Sequence, residues 1–146
     1  MSVPKRPKLS DHIQQRTREW FRKAEHELAY LEHSPFDEED PPTDTACKMA
    51  HIVAEYSLKA FLMLNKRKIL KIHDLDSLLD QCIEIDNHLS NIKDECQELS
   101  AYKTTLTYPL DPPIVIDIAE ANNAIENAKR IKQFIQQRAI AYGYNP

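Results

Sequence analysis

Glycine is almost missing from this chain, which has one, Gly143, in 146 residues. Backbone that passes close to a phosphate or turns with positive φ relies on glycine. Gly-rich phosphate loops, nucleophile elbows and type I′ hairpins therefore have no residues to build them. Cysteine is also sparse. Cys47, Cys82 and Cys96 form no C-x-x-C pair, and each falls on the apolar stripe of an expected helix, as a small buried hydrophobe does. No window approaches the ~18 apolar residues of a membrane span. Lys5, Arg6 and Lys8 open the chain, but no apolar signal-peptide stretch follows them. No membrane association and a cytoplasmic location are the expectation. Excess positive charge is lacking too. A formal net charge of −4 and a pI of about 5.9 give a polyanion no global attraction, so nucleic acid is left with local basic patches only.

What is present is the composition of a globular domain. Hydrophobic residues make up 42% and charged residues 29%, outside the range of disordered chains. A chain of this length buries roughly 68–70% of its unfolded surface, so one core needs no metal or disulfide to hold it. The expected organisation is a flexible basic tail over residues 1–9 and a single domain over 10–146.

Apolar spacing predicts helices throughout. Ser10 is placed to cap a first helix to about His33, with Ile13, Thr17, Trp20, Ala24, Leu28 and Leu31 on its inner face. Arg16, Arg18, Arg22, Lys23, Glu25 and Glu27 make a mixed-charge outer face. Pro35, Pro41 and Pro42 among four acidic residues stop that helix in a loop. Thr43 or Asp44 is the expected cap of a second helix to about Lys68. That helix is apolar on most sides, which places it centrally or against a second subunit. Its compact polar strip is Lys48, His51, Glu55 and Lys59. His73-Asp74 opens a short helix ending near Asp86–His88, and Leu89 to Leu106 continue the period in a longer one. Pro109, Pro112 and Pro113 mark a second connection in which Ile114 and Val115 are expected to lie against the bundle end. A last helix from about Asp117 to Tyr142 stops at Gly143. The fold class is all-α, an up-and-down antiparallel bundle.

Several stretches resemble the HEPN family. Ala54-Glu55-Tyr56-Ser57-Leu58-Lys59-Ala60, followed by His73-Asp74-Leu75 and Leu78-Leu79, is similar to the most recognisable part of those domains. Trp20-Phe21 with Ala24-Glu25 and Leu28 resembles their first helix. Thr107-Tyr108-Pro109 ahead of Ala121, Ala124 and Ala128 resembles their C-terminal third. The resemblance implies a bundle of four to five helices, commonly a homodimer. It also implies one of two roles: metal-independent ribonuclease, or a non-catalytic module that binds a nucleotide or a minimal nucleotidyltransferase in a toxin–antitoxin setting.

In the ribonuclease branch an Arg precedes a His by five to seven positions late in the bundle, where Arg holds the scissile phosphate and His moves the 2′-hydroxyl proton. Tyr102 to Pro109 contains neither residue, and Thr107 stands where many relatives have Arg. Arg67 and His73 fit the spacing, but they span the turn after the second helix. No catalytic residue is assigned on this basis.

The polar strip has two readings: a solvated face with Glu–Lys pairing, worth ~0.3–0.5 kcal/mol per pair, or an anion site. In the second, Lys48, His51, Glu55 and Lys59 join Arg67, Lys71 and His73 as nucleotide-binding residues, with cations near the phosphates and Tyr108 stacking on the base. His73-Asp74 either caps the short helix or faces the ligand. His51 and Glu55 share a helical face, but no second metal-ligating pair accompanies them, so no metal is expected. Three hypotheses follow: a non-catalytic HEPN-like module, a ribonuclease using Arg67 and His73, and a helical scaffold protein.

Overall fold

The computed structural model describes residues 8–33, 36–69, 71–102, 109 and 111–146. The described residues form five α-helices, α1 Asp11–Glu32, α2 Thr43–Leu64, α3 Leu75–Ile85, α4 Lys93–Ser100 and α5 Ile118–Ala141, with a 3₁₀ helix at Asn87–Ile92 before α4. Contacts give the directions. Gln14 bonds the Gly143 carbonyl at one end of α1, and Lys132 and Lys129 reach Glu25 and Glu32 further along it, so α1 and α5 are antiparallel. Arg130 meets Glu95, Asn123 meets Glu98 and Tyr102 meets Glu120, so α4 and α5 are antiparallel as well. Thr43 meets Ile116 and Phe61 meets Tyr142, so α2 and α5 run the same way, as an up-and-down bundle requires. The all-helical bundle expected from the periodicity is the fold found.

Position in the bundle explains the greasiness of α2. It packs against α1, α3, α4 and α5. Fifteen of its 22 residues are buried, against four of 22 in α1. A helix surrounded by its own chain needs no second subunit to cover it. Phe61, Leu58, Leu62 and Leu64 are all within 1% of full burial, at roughly 1.5–3 kcal/mol per large apolar side chain. Cys47, Cys82 and Cys96 are buried too, and burial pushes the Cys47 thiol up to about 11 and the Cys96 thiol up to about 12. They behave as core hydrophobes.

Helix ends show where local reading was incomplete. Ser10 Oγ accepts from Ile13 N, and Asp117 caps α5 by accepting from Glu120 N. At α2 the cap position is Pro42, and Thr43 instead donates its hydroxyl to the Ile116 carbonyl at 2.7 Å, tying the start of α2 to the segment before α5. α2 also stops at Leu64 rather than near Lys68. Lys66 has φ 60°, and its N–H bonds Met63 O while Arg67 N–H bonds Leu62 O. This is a Schellman closure with a lysine where glycine is usual. The same closure ends α5, with Gly143 at φ 101° and Gly143 and Tyr144 N–H groups on Ile140 and Ala139 carbonyls.

Other local expectations change as well. The long helix expected after His88 is a 3₁₀ turn and the short α4, and Leu106 lies outside the described residues. Ile114 and Val115 are exposed, and Ile116 is the residue of that segment that turns inward. Of the basic tail, residues 1–7 lie outside the described residues, while Leu9 already packs against the core beside Gly143. Among the described residues no helix is long and apolar enough to cross a membrane.

Candidate functional site: a charged cleft between the first two helices

Residues 51, 55 and 59 fall one above the other on α2 because four residues nearly complete a helical turn. In the folded chain this strip is not solvated: His51 is 4% exposed, Glu55 6% and Lys59 4%. Charges are costly to bury unless each finds a partner. Lys59 Nζ donates to Glu55 Oε2 at 2.9 Å, and His73 Nδ1, arriving on the segment after α2, donates to the same oxygen at 2.9 Å. The other carboxylate oxygen, Oε1, stands 3.9 Å from His51 Nδ1, beyond hydrogen-bond reach.

Helix α1 closes one side of the cluster. Trp20 meets Tyr56 with ring centroids 5.6 Å apart and planes tilted by 58°, and Lys59 Nζ lies 5.7 Å from the Trp20 ring centre, within cation–π range. Burial, then the charges of Glu27 and Glu55, raise the Tyr56 phenol above its ordinary value and keep it neutral. Together these residues line a cleft of about 420 Å³. Trp20, Tyr56, Glu55, Lys59 and His73 line it together with Arg16, Glu19 and Lys23 of α1. Arg16 lies 3.6 Å from Glu19 in a half-exposed pair. Among the described residues Lys23 makes no ion pair. Four basic groups thus face two carboxylates around an aromatic wall, a combination that suits a flat anion.

The structure sorts the residues singled out from sequence. It brings His51, Glu55, Lys59 and His73 into one cluster. Lys48 is exposed on α2 and lines no part of the cleft, and Arg67 and Lys71 are exposed beyond the C-terminus of α2, also away from its lining. Tyr108 and Thr107 lie outside the described residues. Asp74 occupies the cap position of α3 but takes the Ser77 hydroxyl instead of a backbone N–H, and His73 turns back to Glu55 rather than capping. Arg16 and Lys23 were read as part of a solvated face, Trp20 as an inner-face residue of the first helix and Tyr56 as apolar surface of the second, and Glu19 was not singled out. Arg16, Trp20 and Lys23 are spaced by four and three, so one α1 stripe carries them all. That stripe was the available signal.

A second buried carboxylate, Asp86, is 4% exposed between the end of α3 and the 3₁₀ helix. Arg138 Nε of α5 donates to Oδ2 at 2.6 Å, while Oδ1 accepts from His88 Nδ1 at 2.8 Å and His88 N at 3.1 Å. Burial alone would raise its pKa, but the hydrogen bonds from Arg138 and His88 outweigh burial and hold the carboxyl below its ordinary value. His88 is thus part of a joint between α3 and α5. Among the described residues no group of three or more His, Cys, Asp and Glu side chains is placed to hold a metal ion.

A helical module with one charged, aromatic-walled cleft is the class that fold and site define. A family model described as HEPN domain matches residues 17–138, and the chain belongs to the HEPN family. The match takes in both carboxylate clusters and every residue of the cleft lining except Arg16. No curated protein and no solved structure matches the chain.

Proposed function

We propose that this HEPN module binds a nucleotide in the α1–α2 cleft and acts as a non-catalytic partner protein. The observation that carries this reading is the cleft itself, where Trp20 and Tyr56 stand beside Arg16, Lys23, Lys59 and His73. Aromatic faces suit a base, and cations at the more exposed α1 side suit phosphates. Lys59 is already held by Glu55, so the phosphate-binding charge falls mainly to Arg16 and Lys23, a revision of the set expected from α2 alone. The ribonuclease reading loses support. Glu55 engages His73 Nδ1, and Arg67 does not line the cleft that His73 lines.

A thermal-unfolding screen against mono-, di- and triphosphate nucleotides, with and without magnesium, tests the site. Ligand at ~100 times its Kd adds about 2.7 kcal/mol, enough to raise Tm by several degrees in a domain of this size. The wild type shifts, and an Arg16→Ala, Lys23→Ala double variant, altered only at surface positions, loses most of the shift. No shift in the wild type, or an undiminished one in the variant, overturns the reading.

The homodimer and the minimal nucleotidyltransferase partner belong to the same proposal, and their support is family membership. Burial of α2 within the monomer removes the apolar-surface argument for a dimer. A light-scattering mass that rises with concentration supports self-association; a concentration-independent monomer removes it.

A further inference from the structure

The cleft is walled by helix interiors. Every lining residue except His73 lies inside α1 or α2, beyond the first turn. Peptide N–H groups there are bonded to carbonyls four residues back and are not available to a ligand. Phosphate chains are commonly received by the unbonded N–H groups of helix N-termini and glycine loops. Among the described residues, none from the first turn of α3 lines the cleft, and Gly143 packs beside Leu9 instead. Side chains must therefore hold the phosphate.

Those side chains have little charge to spare. Lys59 and His73 both donate to Glu55. Arg16 lies 3.6 Å from Glu19, whereas Lys23 makes no ion pair among the described residues. Helical spacing fixes their order. Glu19 comes three residues after Arg16 and four before Lys23, so on this stripe of α1 an acidic position separates the two basic ones, and all three line the cleft. A single phosphate at Lys23 needs no approach to Glu19. A polyphosphate extended from Lys23 to Arg16 passes over it, anion against anion. One turned out to solvent gains no contact.

We infer, resting on the nucleotide reading above, that the cleft takes nucleoside monophosphates and that Glu19 rejects longer phosphate chains.

Isothermal titration of the full chain with adenosine, AMP and ATP in magnesium-free buffer, repeated with guanosine, GMP and GTP, tests this in whichever series binds more tightly. The monophosphate binds about tenfold more tightly than the nucleoside, the gain of one contact to a charged group. It binds about threefold more tightly than the triphosphate, the size of an exposed charge interaction. Lys23→Ala removes the advantage over the nucleoside. Glu19→Gln, at a half-exposed position that leaves the core untouched, removes the advantage over the triphosphate. A triphosphate that binds the wild type more tightly than the monophosphate overturns the selection and leaves the nucleotide site standing. A monophosphate preference that survives Glu19→Gln overturns the role of Glu19. No binding in either series overturns the site and the selection together.

Discussion

Glu55 and Asp86 are two buried carboxylates of the same chain, each holding a cation and a histidine, and they differ in where their partners come from. Asp86 takes Arg138 on one oxygen and both His88 groups on the other, so its acceptors are spent inside the fold. Glu55 takes Lys59 and His73 on a single oxygen and borders a cleft of about 420 Å³. A carboxylate saturated from both sides joins helices. One that gathers its partners on a single oxygen and borders a cleft marks a candidate site. Residue type and burial are nearly the same in the two places, so direction of bonding is what separates a joint from a candidate site.

The largest effect expected from breaking this comparison is at the joint. Arg138→Met leaves the Asp86 charge buried without its strongest partner and lowers unfolding free energy by about 3 kcal/mol in urea titrations. Nucleotide binding in the folded fraction stays intact. A loss below about 1 kcal/mol would mean that water replaces Arg138 and that the joint is weaker than its geometry suggests.

Acid separates the two places next. The folded pKa of Asp86 is depressed, so its stabilisation is fully present above the unfolded value of ~3.9 and is lost as pH falls through the folded value. Asp86→Asn is expected to be less stable than wild type by about 1–2 kcal/mol at pH 7, where charge-assisted bonds to Arg138 and His88 are lost. The gap should close below the ordinary carboxylate range. A gap independent of pH would trace the effect to packing rather than charge.

At the cleft the stability cost is smaller and the ligand cost larger. His73→Ala removes an exposed partner while Lys59 keeps the carboxylate satisfied, so denaturation shifts by less than about 1 kcal/mol. The nucleotide-induced rise in Tm should fall in the same variant. A change in stability with an unaltered ligand shift would make Glu55 a second joint.

The smallest effect is a control at the two Schellman closures. Lys66 adopts the positive φ that Gly143 adopts at the end of α5. Lys66→Gly relieves a left-handed strain of ~1 kcal/mol and gives back part of it as extra unfolded-chain entropy, for a net gain of about 0.5 kcal/mol. Circular-dichroism melting at constant ligand affinity checks it.

Much of the fold was readable because helix formation in this chain is local. Ser10, Asp117 and Gly143 act within one helical turn of where they stand in sequence, and the spacing of Ala46, Ala50, Val53 and Phe61 names an inner face without reference to any other helix. The site was half readable for the same reason. His51, Glu55 and Lys59 share a helical face by period alone, but Lys48, Arg67 and Lys71 looked equally suitable and lie away from the cleft. Trp20 read as core and Tyr56 as apolar surface, since an aromatic at an apolar spacing gives no sign that one edge borders a cavity. Thr43 as a cap and Ile114 and Val115 as packed residues followed from local preference, and tertiary contacts overrode it.

Sequence by itself determined an all-helical chain, the approximate bounds of its longest helices, the core positions and the likeness to HEPN domains. Those properties depend on spacing within one helix and on near neighbours. Only the tertiary structure decided that the polar strip of α2 is buried, that α1 supplies its aromatic wall and outer cations, and that Asp86 is consumed by Arg138 while Glu55 borders a cleft. These depend on residues 18 to 52 positions apart meeting in space, and no local periodicity encodes which faces meet.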